Sequence, residues 1–179
     1  MHRLHVMTVI GPDRPGLVES VASLVTEHGG NWLESRMARL GGQFAGILRV
    51  EIPTEKNEAF TAAVASLETR GLSVVLQPDR PEAAAPLPRL TTIEIVGHDR
   101  PGIVRQISRA LAAHGVNVEE LETELSSAAM TGETLFKATA KLGIPPSCDT
   151  AELRLELEKI AADLIVDISL AELAPRKAD

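Results

Sequence analysis

Two short stretches of this 179-residue chain combine residue types that suit the binding of a small zwitterion. In each, an aspartate precedes a glycine that opens a predicted helix, and an asparagine follows the helix. A helix N-terminus exposes unpaired N–H groups and the positive end of the dipole, so a carboxylate fits there. The aspartate would pair with an ammonium group, and the asparagine amide would supply a bidentate contact. The candidate ligand-binding residues are Asp13, Gly16, Leu17, Val18, Asn31, Asp99, Gly102, Ile103, Val104 and Asn117.

Each of these residue types also has a purely structural interpretation. Asp13 and Asp99 suit the cap region of a helix, and asparagine after a glycine is common in turns. Gly16 and Gly102 either let a ligand approach the backbone closely or only permit tight packing. Both interpretations stay open for every position at this stage.

The other polar candidates give no catalytic or metal-binding pattern. His28 and His114 repeat, but each is predicted in the last turn of a helix, where a cation is favourable, without a cluster of metal ligands. Arg14 and Arg100 are expected to be solvated surface charges. Cys148 is the single cysteine, which excludes an intramolecular disulfide and indicates a reducing compartment. Without a recognisable catalytic motif, we expect no enzyme activity, no metal and no cofactor.

Composition narrows the partners further. The formal net charge is −7 and the pI about 5.3, whereas nucleic-acid binding needs lysine and arginine on one face. Aromatic residues make up only 2%, so the core must be aliphatic. The chain shows no signal-peptide stretch and no apolar run of membrane length. We therefore expect a cytoplasmic protein that contacts neither nucleic acid nor membrane.

The two stretches belong to an internal repeat. Residues 10–32 read IGPDRPGLVESVASLVTEHGGNW, and residues 96–118 read VGHDRPGIVRQISRALAAHGVNV. A constant offset of 86 (97 − 11) aligns them without gaps and gives nine identities in 23 positions. The chain is therefore a duplication of one small domain.

A proline-rich segment separates the copies. Four prolines in the twelve residues 78–89 indicate a semi-stiff, extended linker. This predicts one domain at 1–77, a second at 90–173 and a frayed tail at 174–179. Domains of this size bury a modest fraction of their surface and gain by pairing, so we expect a homo-oligomer such as a homodimer.

Each copy has the same predicted order of elements, βαββαβ. The first strand should place Met7, Val9, Ile93 and Ile95 on the helix-covered face. Gly41 and Gly42 indicate a tight hairpin in the first copy, and residues 127–132 a longer loop in the second. Gly29 and Gly115 should take the left-handed conformation at the end of the first helix. The predicted strands are 3–10, 31–40, 44–52, 72–76, 90–97, 117–126, 134–142 and 165–170.

The helices follow from apolar residues at helical spacing. The first helix of each copy carries Leu17, Val18, Val21, Leu24 and Val25, or Ile103, Val104, Ile107, Ala110 and Leu111. The second helix is predicted over 55–70 in the first copy. Residues 150–162 fit either a strand or a helix by pattern, and the repeat decides for a helix. The predicted fold class is α+β, two tandem ferredoxin-like domains with antiparallel sheets and helices on one face.

A strand ending in glycine, then Asp-Arg-Pro-Gly-(Leu/Ile)-Val opening a helix, then His-Gly-x-Asn, resembles the ACT domain. Both copies carry this pattern, at 11–31 and 97–117. In the first copy, residues 31–44, NWLESRMARLGGQF, also resemble the glycine cleavage system transcriptional repressor family, which consists of little more than two ACT domains. The resemblance implies a regulator that binds a small amino acid such as glycine and acts through a protein partner, a transcriptional activator. It also implies a ligand held between paired domains.

Two other functions remain compatible with the sequence. The chain is either a ligand-independent ACT interaction module or the regulatory subunit of an amino-acid metabolic enzyme. A thermal shift with an amino acid would distinguish the sensor from the interaction module, and co-purification with an enzyme would favour the subunit.

Overall fold

The computed structural model describes residues 1–80, 88–127 and 134–172. The chain divides into two compact units, Met1–Ala83 and Ala84–Asp179, which we call unit 1 and unit 2. The predicted linker lies largely on 81–87 and the predicted tail on 174–179, both outside the described residues. Most of the predicted hairpin loop at 127–132 also lies outside them. The exact domain limits therefore stay a prediction.

Unit 1 is a four-stranded antiparallel sheet with helices on one face. Its strand order is β2-β3-β1-β4, the ferredoxin-like arrangement. The elements are β1 (His2–Pro12), α1 (Leu17–Glu27), β2 (Asn31–Leu40), β3 (Gln43–Pro53), α2 (Asn57–Val64), α3 (Ser66–Thr69) and β4 (Ser73–Pro78).

Unit 2 repeats this topology with the strand order β6-β7-β5-β8. Its elements are β5 (Arg89–His98), α4 (Ile103–Ala113), β6 (Asn117–Ser127), β7 (Thr134–Ile144), α5 (Thr150–Leu164) and β8 (Val166–Glu172). The predicted fold class and the helical assignment of residues 150–162 are confirmed. The Asp149 side chain starts α5 by accepting bonds from the N–H groups of Ala151 and Glu152, at 2.9 and 3.1 Å.

The predicted strand register is confirmed in both units. Met7 and Val9 are fully buried against the helices, and Ile93 and Ile95 occupy the same places in unit 2. Because neighbouring side chains in a strand point to opposite faces, a shift by one residue would have exposed all four. An aliphatic core fills each unit separately, as the low aromatic content requires.

The first helix of each unit ends as predicted. Gly29 and Gly115 have φ of 68° and 69°. In unit 1 the N–H of Gly30 bonds the carbonyl of Val25 at 2.9 Å, and the Gly29 N–H bonds Thr26 at 2.8 Å. This is the Schellman arrangement, which satisfies carbonyls that the helix leaves unpaired. Unit 2 repeats it, with Val116 and Gly115 as donors.

The hairpin between β2 and β3 also follows its sequence. Gly41 and Gly42 have φ of 57° and 77°, and positive φ at both central residues is what a two-residue type I′ turn requires.

The second helical segment of unit 1 departs from the single helix predicted over 55–70. It comprises a 3₁₀ turn at Thr54–Lys56, then α2 and α3. Ala65, between them, keeps helical angles (φ −58°, ψ −23°), so the interruption lies in hydrogen bonding rather than chain direction.

The uncovered faces of the two sheets differ in chemistry. In unit 1 this face carries Thr8 between Ile47 and Val75, which are half-exposed, together with Arg49, which pairs with Asp79 at 2.6 Å and with Glu34 at 3.8 Å. In unit 2 the place of Ile47 belongs to Thr139, which lies beside Glu94 on β5 and Glu122 on β6. The pairs Lys137–Glu124 (3.7 Å) and Lys141–Glu120 (2.6 Å) make the unit 2 face strongly charged.

Across the described ranges, no helix combines the length and the apolar character needed to cross a lipid bilayer.

Candidate functional site

In both units, the first strand and the first helix are joined by a loop that ends on a left-handed glycine. Gly16 has φ 91° and Gly102 has φ 99°, and the helix begins at the next residue. The cap residue of each helix is this glycine, so the cap position offers no side-chain acceptor. Among the described residues, the N–H groups of Leu17 and Val18 have no hydrogen-bond partner, and they lie at the positive end of α1, where an anion is favoured.

The two glycines are required for conformation rather than for packing. A Cβ added at Gly16 would have no heavy atom within 4 Å, and at Gly102 only Nε2 of Gln106, at 3.9 Å. The packing interpretation is therefore wrong, because the space is open. Positive φ is what excludes other residues, since L-residues rarely adopt it. The open space also leaves room for a ligand beside the helix N-terminus.

The two residues that follow the glycine differ in burial: the first is buried in the core and the second is exposed. Leu17 and Ile103 are buried at 3% and 2% exposure, so their side chains fasten the helix start to the core. Val18 and Val104 are 47% and 43% exposed. In each unit, the loop thus offers backbone donors next to one exposed aliphatic side chain.

The capping interpretation of Asp13 and Asp99 is wrong, because Gly16 and Gly102, three residues later, occupy the cap positions. The Asp13 carboxylate instead pairs with Nε of Arg39 at 2.6 Å, and its N–H bonds the carbonyl of Gly42 at 2.9 Å. Asp13 therefore ties the loop to the hairpin. An ammonium group at Asp13 would have to share the carboxylate with Arg39.

Asp99 has a different environment. Its N–H donates to the carbonyl of Thr134 at 3.2 Å, but its carboxylate forms no ion pair with any residue that the structure describes. The place of Arg39 is taken by Leu125, since Arg39 pairs in register with Phe44 and Leu125 with Phe136. An ammonium group therefore meets less competition at Asp99 than at Asp13.

The predicted asparagines do not join the loops within one unit. Asn31 starts β2 after the far end of α1, while Asp13 and Gly16 precede its near end. Eleven helical residues separate these ends by about 16 Å. The amide Nδ2 of Asn31 lies 3.4 Å from Oε1 of Glu51, and Nδ2 of Asn117 donates to Oε1 of Glu119 at 2.8 Å. Asn31 and Asn117 can contribute only where another domain's loop faces them, and that stays a prediction.

The repeated histidines end their helices as predicted. Nδ1 of His28 lies 2.8 Å from the carbonyl oxygen of Leu24, and its ring meets Phe60 edge-on with centroids 5.7 Å apart. In unit 2, Nε2 of His114 lies 2.8 Å from Oε2 of Glu156. In the described parts of the chain, no three histidine, cysteine or acidic residues are grouped closely enough to hold a metal ion.

Two further residues have environments that the sequence did not indicate. Arg14 is exposed as predicted, but it donates to the carbonyl of Arg70 at the end of α3 instead of extending freely into solvent. Burial raises the pKa of the Cys148 thiol, Asp149 raises it further, and Arg89 opposes them. A raised thiol pKa leaves less thiolate, so Cys148 has the properties of a structural cysteine rather than a nucleophile.

Sequence reasoning also missed Arg39, whose ion pair makes the two loops unequal. A signal was present, because the alignment of the copies places an arginine against a leucine at positions 39 and 125. It was not recognisable as part of the site, because β2 reaches Asp13 only through the hairpin of the folded sheet.

Comparison with known proteins agrees with the duplication. ACT-domain family descriptions match residues 3–76 and 91–134, which together exceed half of the chain. The Glycine cleavage system transcriptional repressor of Escherichia coli (strain K12) is 24% identical over 163 residues, covering 89% of this chain and 84% of that protein. A crystal structure of an unknown protein from Galdieria sulphuraria superposes with a TM-score of 0.87, at 29% identity, over 97% of this chain and 100% of that one.

An enzyme shares the same stretch. Phosphoserine phosphatase SerB2 of Mycobacterium tuberculosis is 25% identical over 173 residues, covering 93% of this chain but only 40% of that protein. The chain thus matches one regulatory protein over nearly its full length and one enzyme over less than half.

Proposed function

We propose that this chain, which belongs to the ACT-domain family and carries two copies of the domain in tandem, is a non-catalytic amino-acid sensor that regulates through a protein partner. The observation that carries the proposal is the uncapped helix N-terminus in both units, preceded by a left-handed glycine and open space. Such a position offers N–H donors for a carboxylate. The preceding aspartate supplies a partner for an ammonium group, so the loop suits an amino-acid zwitterion.

The loop of unit 2 is the stronger candidate for ligand binding. Asp99 lacks the arginine that pairs with Asp13, and Leu125 in its place adds an apolar surface. The ligand that we propose is small, with glycine first, because the similar repressor is named for the glycine cleavage system. The partner that we propose is a transcriptional activator in the cytoplasm.

The uncovered sheet face of unit 1 supports a protein contact. Exposed apolar residues on a sheet commonly mark an interaction surface, and this face carries Leu4, Ile10, Ile47 and Val75 at 39%, 47%, 51% and 54% exposure. Its charged residues include Arg49, which is paired with Asp79 and Glu34. We assign this face to a homodimer. Sedimentation should then show dissociation for Ile47→Lys and an unchanged dimer for Thr139→Lys, the matched position on the charged face of unit 2.

The second candidate is a regulatory subunit of an amino-acid metabolic enzyme. It is favoured by the similarity to SerB2, where 173 matched residues accompany the rest of an enzyme. Affinity purification of the tagged chain would separate the two functions. A transcriptional activator recovered in a ratio that changes with the amino acid supports the first, and a metabolic enzyme supports the second.

The experiment that tests the sensor is calorimetric titration and thermal unfolding with each of the twenty amino acids. Ligand at a hundredfold over its dissociation constant should add about 2.7 kcal/mol of stability. Gly102→Trp should abolish binding to unit 2 and Gly16→Trp binding to unit 1, because the indole would occupy the open space beside the helix N-terminus. Gly41→Trp is the control, since Gly41 is also left-handed with nothing within 4 Å but starts no helix.

A flat response to all twenty amino acids would contradict sensing and favour the ligand-independent interaction module. Binding that persists when both Gly16 and Gly102 are replaced would contradict the assignment of the site while leaving sensing intact.

A further inference from the structure

An ion pair on the uncovered sheet face of unit 1 crosses one of the two inner strands. Arg49 lies on β3 opposite Val6 of β1, and Asp79 follows the end of β4 on the other side of β1. Nε and Nη2 of Arg49 lie 2.7 and 2.6 Å from Oδ2 of Asp79. The guanidinium therefore reaches from β3 over β1 to the chain that leaves the edge strand β4.

This ion pair fastens a short segment, residues 78–80, which we call the strap. Pro78 ends β4 opposite His5, and one step further the N–H of Asp79 donates to the carbonyl of Leu4 at 3.0 Å. The Asp79 side chain is only 12% exposed, although the strap follows an edge strand. A backbone hydrogen bond and a charged side-chain contact together hold the strap against β1.

The arginine side chain also covers apolar surface. On the uncovered face of β1, Leu4, Thr8 and Ile10 are exposed, whereas Val6 is half-buried. Val6 is the register partner of Arg49, and the methylene groups of an arginine lie along neighbouring apolar surface while its charged end stays in water. An arginine that turned away from β1 would expose Val6 next to Leu4 and enlarge the apolar part of this face.

Arg49 has a second acidic neighbour in the opposite direction. Oε1 of Glu34, on the edge strand β2, lies 3.8 Å from Nη1 of Arg49. That distance is too long for a hydrogen bond, so the guanidinium is bonded to Asp79 and only close to Glu34. Rotation of the arginine side chain toward β2 would exchange one carboxylate for the other, and the charge is paired in both arrangements.

Unit 2 contains the alternative arrangement at the matching positions. Lys141 replaces Arg49 and Glu120 replaces Glu34 in the register of the sheet. Nζ of Lys141 donates to Oε2 of Glu120 at 2.6 Å, which is the pairing toward the edge strand. The two units thus show the two directions in which a cation at this position can turn. In unit 1 it turns toward the strap, because Asp79 lies there.

We propose that Arg49 is a two-position clamp, which closes the strap over β1 by pairing with Asp79 and opens it by pairing with Glu34, and that the open position favours association of two copies of this chain. In the closed position, a second copy on this face would have to bury both charges, which costs desolvation free energy. In the open position, Arg49 lies toward the β2 edge, and Val6 joins Leu4 on the exposed apolar surface. The link to association rests on the homodimer proposed above.

Hydrogen exchange at the amide of residue 79, followed by NMR in the full chain, measures the strap. Ile47→Lys is the background, because a monomer shows the clamp without the dimer contact. In this background, Asp79→Asn should lower the protection factor of the amide by about fivefold, the upper end for a partly exposed ion pair. Glu34→Gln should raise the protection factor, because it removes the competing carboxylate.

Glu51→Gln is the matched control for these charge changes. Glu51 lies opposite Leu4 on β3, and its Oε1 is the neighbour of the Asn31 amide. The variant removes one negative charge from the same end of the sheet and should leave the protection factor unchanged. An unchanged protection factor in Asp79→Asn overturns the clamp, as does an equal loss in Glu51→Gln.

Sedimentation of the same variants, without the Ile47 substitution, measures association. Asp79→Asn should tighten the homodimer by up to about fivefold, and Glu34→Gln should weaken it. Lower protection in Asp79→Asn with an unchanged dimer dissociation constant overturns the link to association. A chain that stays monomeric in every variant overturns both that link and the proposed homodimer, whereas the exchange data decide the clamp independently.

Discussion

The two units share one backbone plan but use the start of their second helix differently. Unit 1 packs His5 and Phe60 under α2, whereas unit 2 packs the smaller Thr91 and Leu153 under α5. At the other end of each sheet, the glycine loops remain nearly identical in φ and in exposure. Duplication kept the loop geometry in both copies, while the opposite end diverged in volume and charge.

The largest expected effect concerns this difference in packing. Phe60→Ala should destabilise unit 1 by about 3–5 kcal/mol, because Phe60 is fully buried and its removal leaves a cavity. Leu153→Ala should cost less, about 2–3 kcal/mol, because Leu153 is also fully buried but loses fewer atoms. Urea unfolding measures both, with a reporter in each core. Trp32 fluorescence follows unit 1 and Cys148 labelling follows unit 2.

Equal losses in the two variants would contradict the comparison, because they would mean that the larger side chain of Phe60 adds no stability beyond that of Leu153. Phe60→Leu, which copies the unit 2 residue into unit 1, is the intermediate control.

Substitution of the loop glycines should destabilise the two units equally, in contrast to the substitutions at Phe60 and Leu153. Gly16→Ala and Gly102→Ala should each cost about 1–2 kcal/mol, because alanine resists positive φ even though its methyl group has room. Asparagine tolerates this conformation better, so Gly16→Asn and Gly102→Asn should cost less. Thermal and urea unfolding of the four variants checks this order. A loss in only one unit would mean that the two loops are not equivalent.

The ion pair of Asp13 gives a smaller effect. Arg39→Leu copies the unit 2 residue into unit 1 and should change stability by less than about 1 kcal/mol, since the arginine side chain is 72% exposed and screened by water. The freed carboxylate should then bind an amino acid more tightly at unit 1. Titration at low and high salt measures this gain. Arg36→Leu, three residues earlier and on the opposite face of β2, controls for the loss of a β2 arginine.

The smallest effect concerns a rate and not stability. Because burial and Asp149 raise the pKa of Cys148, iodoacetamide at pH 8 should react more slowly with the folded protein than with the urea-unfolded chain. The raised pKa means that the thiol stabilises the folded state below the unfolded pKa and that this contribution disappears as the pH rises through the folded value. Asp149→Asn should narrow the rate difference while still capping α5. Equal rates in both states would contradict the raised pKa.

Periodicity and repetition predicted the architecture correctly because each of their signals acts locally. Alternation in β1 decided which face is buried, and Gly41-Gly42 decided the hairpin. Residues 150–162 had an ambiguous pattern, and only their place in the repeat identified the helix. The interruption of the second helix at Ala65 has no glycine or proline to mark it, so the sequence predicted one continuous helix.

The site was predicted less completely, because its contacts are long-range. Gly16 and Gly102 lie directly before the first helix of each unit, as the sequence predicts, but neither interpretation of Asp13, as a helix cap or as a ligand contact, included Arg39. Asn31 belongs to the same repeated sequence motif as the loop, yet it lies at the far end of α1. The length of the helix, and not the identity of the residue, separates them.

The sequence alone determined the duplication, the order of elements, the buried faces and the left-handed glycines Gly29 and Gly115, because these depend on neighbours along the chain and on backbone geometry. Only the tertiary structure decided what each polar group touches. It brought Arg39 to Asp13 across a hairpin, and it placed Arg49 beside Asp79 from positions 30 residues apart. It also decided that His5 and Phe60 fill in unit 1 the part of the core that Thr91 and Leu153 fill in unit 2.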